Sequence, residues 1–197
     1  MKYPAGTRRL STLRTRIGVL REKMRAVQAT IEPQPVGDYA FQSVHGEVRL
    51  SELFGAHTDL FVVHNMGAHC AYCTLWADGY NGVYSHLASR AAFVVSSPDS
   101  PAVQARFARS RRWRFRMVST RGTSFADDMG YRTPSGNHRP GISVFQKTRK
   151  GVVRVSDAAS CPHDDFSAVW HLFDLLPHGV AGWHPRFRYA GEPPSRK

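Results

Sequence analysis

Apolar residues recur near the start of the chain in steps of three and four: Leu10, Leu13, Ile17, Leu20, Met24, Val27 and Ile31. That period predicts a helix with one narrow apolar stripe and a basic back. Thr7 or Ser11 is placed to cap its start, and the run EPQPVG (Glu32 to Gly37) ends it. A stripe of this a/d type serves packing within the domain or pairing with another subunit, so a homodimer through this helix is one expectation. The pattern then switches to period two. Tyr39, Phe41 and Val44, a turn at His45-Gly46, then Val48 and Leu50 predict a hairpin. Ser51 is placed to cap a short helical turn. DLFVVHN (Asp59 to Asn65) and AAFVVSS (Ala91 to Ser97) are continuous apolar runs, as central strands covered on both faces require. Ser100 and Pro101 open a helix. Two strands, Gly141 to Lys147 and Gly151 to Asp157, precede an amphipathic helix from Asp164 to Pro177. Strands alternating with helices, then two adjacent strands and a helix, predict a mixed central sheet flanked by helices in the α/β class. The chain divides into an arm and linker (1–37), a domain (38–190) and a polar tail (191–197).

Composition narrows the setting. A chain of 197 residues suits one domain with an arm. No apolar run is long enough to span a bilayer, so no membrane partner is expected. The basic start lacks the apolar stretch of a secretory signal. Three cysteines are too few, and odd in number, for a secreted disulfide scaffold. A cytoplasmic location is the expectation. The net charge is +12, with five Lys against twenty-two Arg, and a field of that sign suits an acidic partner. The densest Arg cluster, ARSRRWRFRM (Ala108 to Met117), interleaves aromatic rings that could stack bases. The alternation of Trp113, Phe115 and Met117 instead reads as a strand facing the core. No nucleic-acid-binding motif is present, so a nucleic-acid partner is disfavoured.

The stretch HNMGAHCAYCTLWADGYNG (His64 to Gly82) carries the chemistry. It places Cys70 and Cys73 directly after a buried strand, at the start of a helix running from about Cys70 to Ser89. Two glycines within Asp78 to Gly82 predict a kink in it. A helix N-terminus offers unpaired N–H groups and partial positive charge, and both favour a thiolate. Cys70 is therefore the expected nucleophile. Cys73 lies one turn on and is the expected resolving thiol. His69, if charged, further favours the Cys70 thiolate, and is otherwise an exposed loop histidine. Trp76 either covers the pair or packs in the core. The reading calls for no cofactor and no metal, and takes a protein or small-molecule disulfide or thiol as substrate.

Three rival readings stand beside it. His64, His69, Cys70 and Cys73 are potential zinc ligands, with Cys161 and His163 able to join them if their loop folds back. Peroxide reduction is the second, with the Pro-x-x-x-Thr-x-x-Cys motif of peroxiredoxins absent and Cys161 a potential distant resolving thiol. A non-catalytic binding module is the third.

LSELFG, DLFVVHNM, CAYCTLWADGYNGV, FVVSS, RPGISVF and FSAVWHLFDLLPHG occur in that order. Together they resemble a bacterial family of predicted dithiol–disulfide oxidoreductases of the thioredoxin-like superfamily, long catalogued as a domain of unknown function. The resemblance runs from about Leu10 to Tyr189 and is most specific at Cys70 to Gly82, where Trp76, Asp78 and Asn81 match. It implies a thioredoxin-like fold with an N-terminal helix and hairpin extension, and a redox role for Cys70 and Cys73. Ala71 stands where family members often carry proline, so the potential does not carry over. Thioredoxin-like folds also place a cis-proline before a strand opposite the cysteines, where it shapes the substrate groove. Pro140 occupies that place, with Gly141 behind it, its backbone a candidate to pair with an extended substrate. An ordinary trans proline starting a strand is the alternative.

Overall fold

A computed structural model describes residues 1–191 and divides the chain into two compact units, Met1–Pro33 and Gln34–Lys197. The first unit is the helix α1 (Tyr3–Gln28) and the turn after it. Its start precedes both expected caps. Pro4 suits a first turn, and the Thr7 hydroxyl donates back to the Tyr3 carbonyl at 2.9 Å from inside the helix.

The second unit is built on one eight-stranded sheet in the order β1-β8-β7-β4-β5-β6-β2-β3. The central strands β4 (Asp59–His64), β5 (Ala92–Ser97) and β6 (Arg116–Ser119) run parallel. The strand β7 (Gly141–Thr148) lies antiparallel against β4, and β8 (Gly151–Ala159) against β7. The expected hairpin forms β2 (Ala40–Ser43) and β3 (Gly46–Arg49) and extends the β6 edge. At the other edge, residues expected only to end the first helix supply a short strand, β1 (Gln34–Pro35), paired with β8. Proline is tolerated there because an edge strand has one unpaired side.

The pleat sorts β4 and β5 between two cores, which is why both read as unbroken apolar runs. Leu60, Val62 and Val94 join Phe41, Phe54, Phe125 and Phe145 on one face. Val63, Phe93 and Val95 join Trp76, Ala77, Tyr80, Trp113 and Phe115 on the other. The helix α2 (Ala71–Gly82) therefore packs on the second face. It ends at Gly82 and a short helix, α3 (Tyr84–Ala88), follows, so the long helix is broken where the glycines predicted. The helix α4 (Pro101–Arg111) begins as expected, and α5 (Phe125–Asp128) is a single turn. The last helix, α6 (Ala168–Phe173), is much shorter than the Asp164–Pro177 expectation. Asp164 accepts the N–H groups of Phe166 and Cys161 and holds a turn instead, and Leu172, Leu175 and Leu176 stay exposed.

Trp113 and Phe115 are buried in the second core. Trp113 and Arg111 bond the Asp78 carboxylate, and Arg114 lies 5.6 Å over the Tyr84 ring. The densest Arg cluster thus presents no free aromatic platform for stacking bases. No helix among the described residues is long and apolar enough to cross a membrane.

Candidate active site

β4 delivers the chain to the carboxyl edge of the parallel strands, and α2 begins after six intervening residues. The intervening loop is held by backbone bonds to side chains. Asn65 accepts the Gly67 N–H at 2.8 Å, and the Asp99 carboxylate accepts the Ala68 N–H at 2.7 Å. Gly67 has φ +117°, and a Cβ there would stand 3.1 Å from Asp99 Oδ2 and 3.2 Å from His69 Nδ1. Only glycine fits that turn without strain.

Cys70 is the residue that caps α2. Its Sγ accepts the Cys73 N–H at 3.1 Å, its own N–H donates to the Gly67 carbonyl at 3.1 Å, and its carbonyl accepts the Thr74 hydroxyl at 2.9 Å. All three cysteines carry free thiols; Cys70 and Cys73 are buried and Cys161 is exposed. The Cys70 pKa is lowered to about 6. The hydrogen bond from the Cys73 thiol is the largest cause. Burial opposes it, and the Cys73 N–H, the charge of His69 and the Tyr72 N–H lower it further. Cys73 is driven the other way, far above the ordinary thiol range, by its hydrogen bond to Cys70, by burial and by the Cys70 charge. Its Sγ accepts the Met66 N–H at 3.4 Å. The pair therefore shares one proton unequally: a thiolate at Cys70 and a thiol at Cys73.

His69 is exposed beside the pair. Trp76 is buried in the second core, and its indole N–H donates to Asp164 at 3.1 Å, which ties the Cys161 loop to α2. Pro140 stands one residue before Gly141, whose register partner on β4 is His64, so it sits where the cysteine loop leaves the strand. No cis peptide bond occurs among the described residues, so the bond before Pro140 is trans. The Pro140 carbonyl accepts the Ser160 N–H at 3.0 Å, and Gly141 lies between His64 and Ala159 in the ladder. That backbone is committed to the sheet, which leaves Gly141 no free edge for a substrate strand. A Cβ at Gly141 would enter the Tyr131 ring and come within 2.7 Å of the Ala158 carbonyl oxygen, so its glycine serves packing behind Pro140.

His64 does not join the cysteines. The pleat turns it to the face opposite α2, where it stacks on Tyr131 with ring centroids 3.8 Å apart and meets the Ser143 hydroxyl at 2.9 Å. Burial, with Arg154 and His138 near, lowers its pKa to about 3 and keeps it neutral. Among the described residues no three His, Cys, Asp or Glu side chains are grouped to hold a metal ion. The site also contains parts that sequence reasoning missed. Asp99, after β5, holds the loop before Cys70, and His184 Nδ1 meets at 2.7 Å the hydroxyl of Tyr72, which lies between the cysteines; both partners come from segments far away in the chain.

A thiol pair at the first turn of the helix that follows a central parallel strand, with an antiparallel strand and its leading proline beside it, defines a thioredoxin-fold protein. The chain belongs to the family described as "Bacterial protein of unknown function (DUF899)", whose model matches residues 9–186. No curated protein matches the sequence. Similar solved structures include peroxidoxin BcpB from Mycobacterium tuberculosis, at TM-score 0.57 and 23% identity over 65% of this chain and 84% of that one. Reduced Prx3 from Vibrio vulnificus aligns at TM-score 0.56 and 14% identity over 68% of this chain and 89% of that one. A cysteine-to-serine mutant of peroxiredoxin Q from Xanthomonas campestris aligns at TM-score 0.53 and 12% identity over 63% and 81%. At these identities the likeness is one of fold.

Proposed function

We propose that the protein is a dithiol–disulfide oxidoreductase working through Cys70 and Cys73. The observation that supports this most is the 3.1 Å hydrogen bond from the Cys73 N–H to Cys70 Sγ at the first turn of α2. It holds a thiolate acceptor site and a second thiol within one helical turn. The Cys70 thiolate attacks one sulfur of a substrate disulfide; that S–S bond breaks, and the other sulfur leaves as a thiolate. Cys73 gives its proton to the leaving thiolate and attacks Cys70 Sγ. The mixed disulfide breaks, the Cys70–Cys73 disulfide forms, and the second substrate sulfur leaves as a thiolate that takes its proton from water. Two electrons pass from the protein to the substrate, and an external dithiol returns them. His69 and Pro140 border the substrate groove. Gly141 keeps Pro140 in place, and Trp76 supports the helix start from within the core.

A redox titration read by thiol alkylation and mass spectrometry, with metal assayed on the same sample, tests this. A reversible two-electron Cys70–Cys73 couple without metal supports it. Thiols that never pair, or stoichiometric zinc, refute it.

The peroxiredoxin fold of the similar structures favours one second reading, reduction of a hydroperoxide. Cys70 would break the O–O bond, taking one oxygen as a sulfenic acid and releasing an alcohol or water. Cys73 would then condense with it to the disulfide and expel water. Hydroperoxide consumption coupled to an added dithiol, with a dimedone adduct at Cys70 in Cys73→Ser, separates the two chemistries.

A further inference from the structure

The charge pattern around the α1 stripe specifies what can cover it. None of the helix's side chains is buried, and Leu10, Leu13, Ile17, Leu20, Met24 and Val27 are 45–67% exposed. With Leu10, Ile17 and Met24 as heptad a and Leu13, Leu20 and Val27 as d, the positions bordering the seam are e and g. Arg14 and Arg21 occupy e; Arg9, Arg16 and Lys23 occupy g. The rest of the circumference between Arg8 and Arg25 is Arg8, Ser11, Thr12, Thr15, Gly18, Val19, Glu22 and Arg25, mostly small or uncharged. Five of the seven basic residues of α1 therefore flank the apolar seam, and Arg8 and Arg25 lie on the back. At 26 residues, α1 extends about 39 Å and carries three to four heptads.

We infer that α1 is one half of a two-stranded coiled coil whose other half is a helix with acidic residues at its e and g positions. In the helix dimer, e and g flank the seam and set partner choice. A second copy of this chain brings Arg or Lys against Arg or Lys in either orientation, and like charges there oppose pairing. A lipid surface is the poorer match. The stripe takes two positions in seven, narrower than the face an interfacial helix lays into a bilayer, and the helix has no Phe or Trp. The acidic helix satisfies both features at once, covering the narrow seam and setting acid beside Arg9, Arg14, Arg16 and Lys23.

The test uses the full-length reduced protein and a synthetic 28-residue labelled peptide with Ile at a, Leu at d and Glu at e and g. A second peptide with Lys at e and g is the control, and binding is read by fluorescence anisotropy. The Glu peptide is expected to bind one to one, at least about tenfold more tightly than the Lys peptide, and at least about tenfold more weakly in 0.5 M than in 0.05 M salt. The double variant Leu13→Ser, Leu20→Ser leaves every charge in place and is expected to weaken binding at least tenfold. Exchanging Arg9, Arg14, Arg16, Arg21 and Lys23 for Glu is expected to reverse the peptide preference. The Cys70 alkylation rate reports that the remainder of each variant is folded. Equal binding of both peptides, binding unaffected in the seam variant, a stable homodimer by light scattering, or binding to phosphatidylglycerol vesicles but not to the Glu peptide would each overturn the inference.

Discussion

At the end of β4 the chain sends His64 to one face of the sheet and, six residues later, opens the helix on the other face with Cys70. Both side chains are buried, and burial disfavours charge on each. At His64 nothing offsets it. The ring has an alcohol and two aromatic rings as neighbours, with Arg154 and His138 adding like charge, and it stays neutral. At Cys70 the Cys73 thiol, the Cys73 and Tyr72 N–H groups and His69 outweigh burial, and the thiolate is favoured. The difference teaches that reactivity here comes from donors converging on a helix start, not from degree of burial.

The sharpest way to break the comparison is to remove the sulfur that gains from those donors. Cys70→Ser is expected to abolish disulfide turnover, by about 10³-fold or more. Cys73→Ser keeps the attacking thiolate and accumulates mixed disulfides. Equal residual activity in the two variants, measured with one disulfide substrate, would overturn the division of roles. The pH profile carries the same information. With a pKa near 6, the Cys70 thiolate forms as pH rises through 6, so alkylation climbs there and levels off by pH 8. An ordinary thiol climbs through about 8.5.

His64 makes the opposite prediction, read in stability. Unfolded, the imidazole binds a proton below about 6.5; folded, it does so only below about 3. The unfolded state thus holds more protons between those limits, and stability falls as pH drops through them. From pH 6.5 to 4.5 this amounts to about 3 kcal/mol at most. His64→Phe retains a ring for the Tyr131 stack and has no proton to take up, so its urea midpoint should lose that part of the acid dependence. A variant as acid-sensitive as the parent would show that His64 is not the silent group described.

Most of the sheet was legible because its strands carry complete local signals. β4 and β5 are unbroken apolar runs, the β2–β3 hairpin alternates around His45-Gly46, and the two glycines marked the break after α2. The cysteine pair was legible for the same reason: its spacing and its helix start are local. What failed depends on distant segments. The Asp164–Pro177 pattern has helical period, but Asp164 is drawn off by Trp76, 88 residues away, and the helix shortens to Ala168–Phe173. His64 looked like a zinc ligand beside His69, and only the pleat of β4 puts it on the wrong face. Asp99 carries no motif at all; its role arises from the parallel register that brings β5 beside β4.

Asp99 sharpens the comparison more modestly. Its carboxylate holds the Ala68 N–H, and a hydrogen bond to a charged group contributes about 1.5–3 kcal/mol. Asp99→Ala should destabilise the protein by about that amount and slow Cys70 alkylation at pH 6.5, because the loop that positions the helix start loses its clamp. Asp99→Asn keeps an oxygen for the Ala68 N–H and should recover most of the loss. Failure of Asn to recover it would assign the effect to charge rather than to positioning.

The smallest effect belongs to His69. It is exposed, and among the influences that lower the Cys70 pKa its charge ranks behind the Cys73 thiol and N–H. Solvent and salt screen such a contribution strongly. His69→Gln should therefore slow alkylation of Cys70 at pH 5.5 by less than about threefold in low salt. The difference should vanish at pH 8, where the Cys70 thiolate is fully formed in parent and variant, and in 0.5 M salt. A deficit that persists under both conditions would mean that His69 acts by packing the loop against Gly67 and Asp99, rather than by its charge.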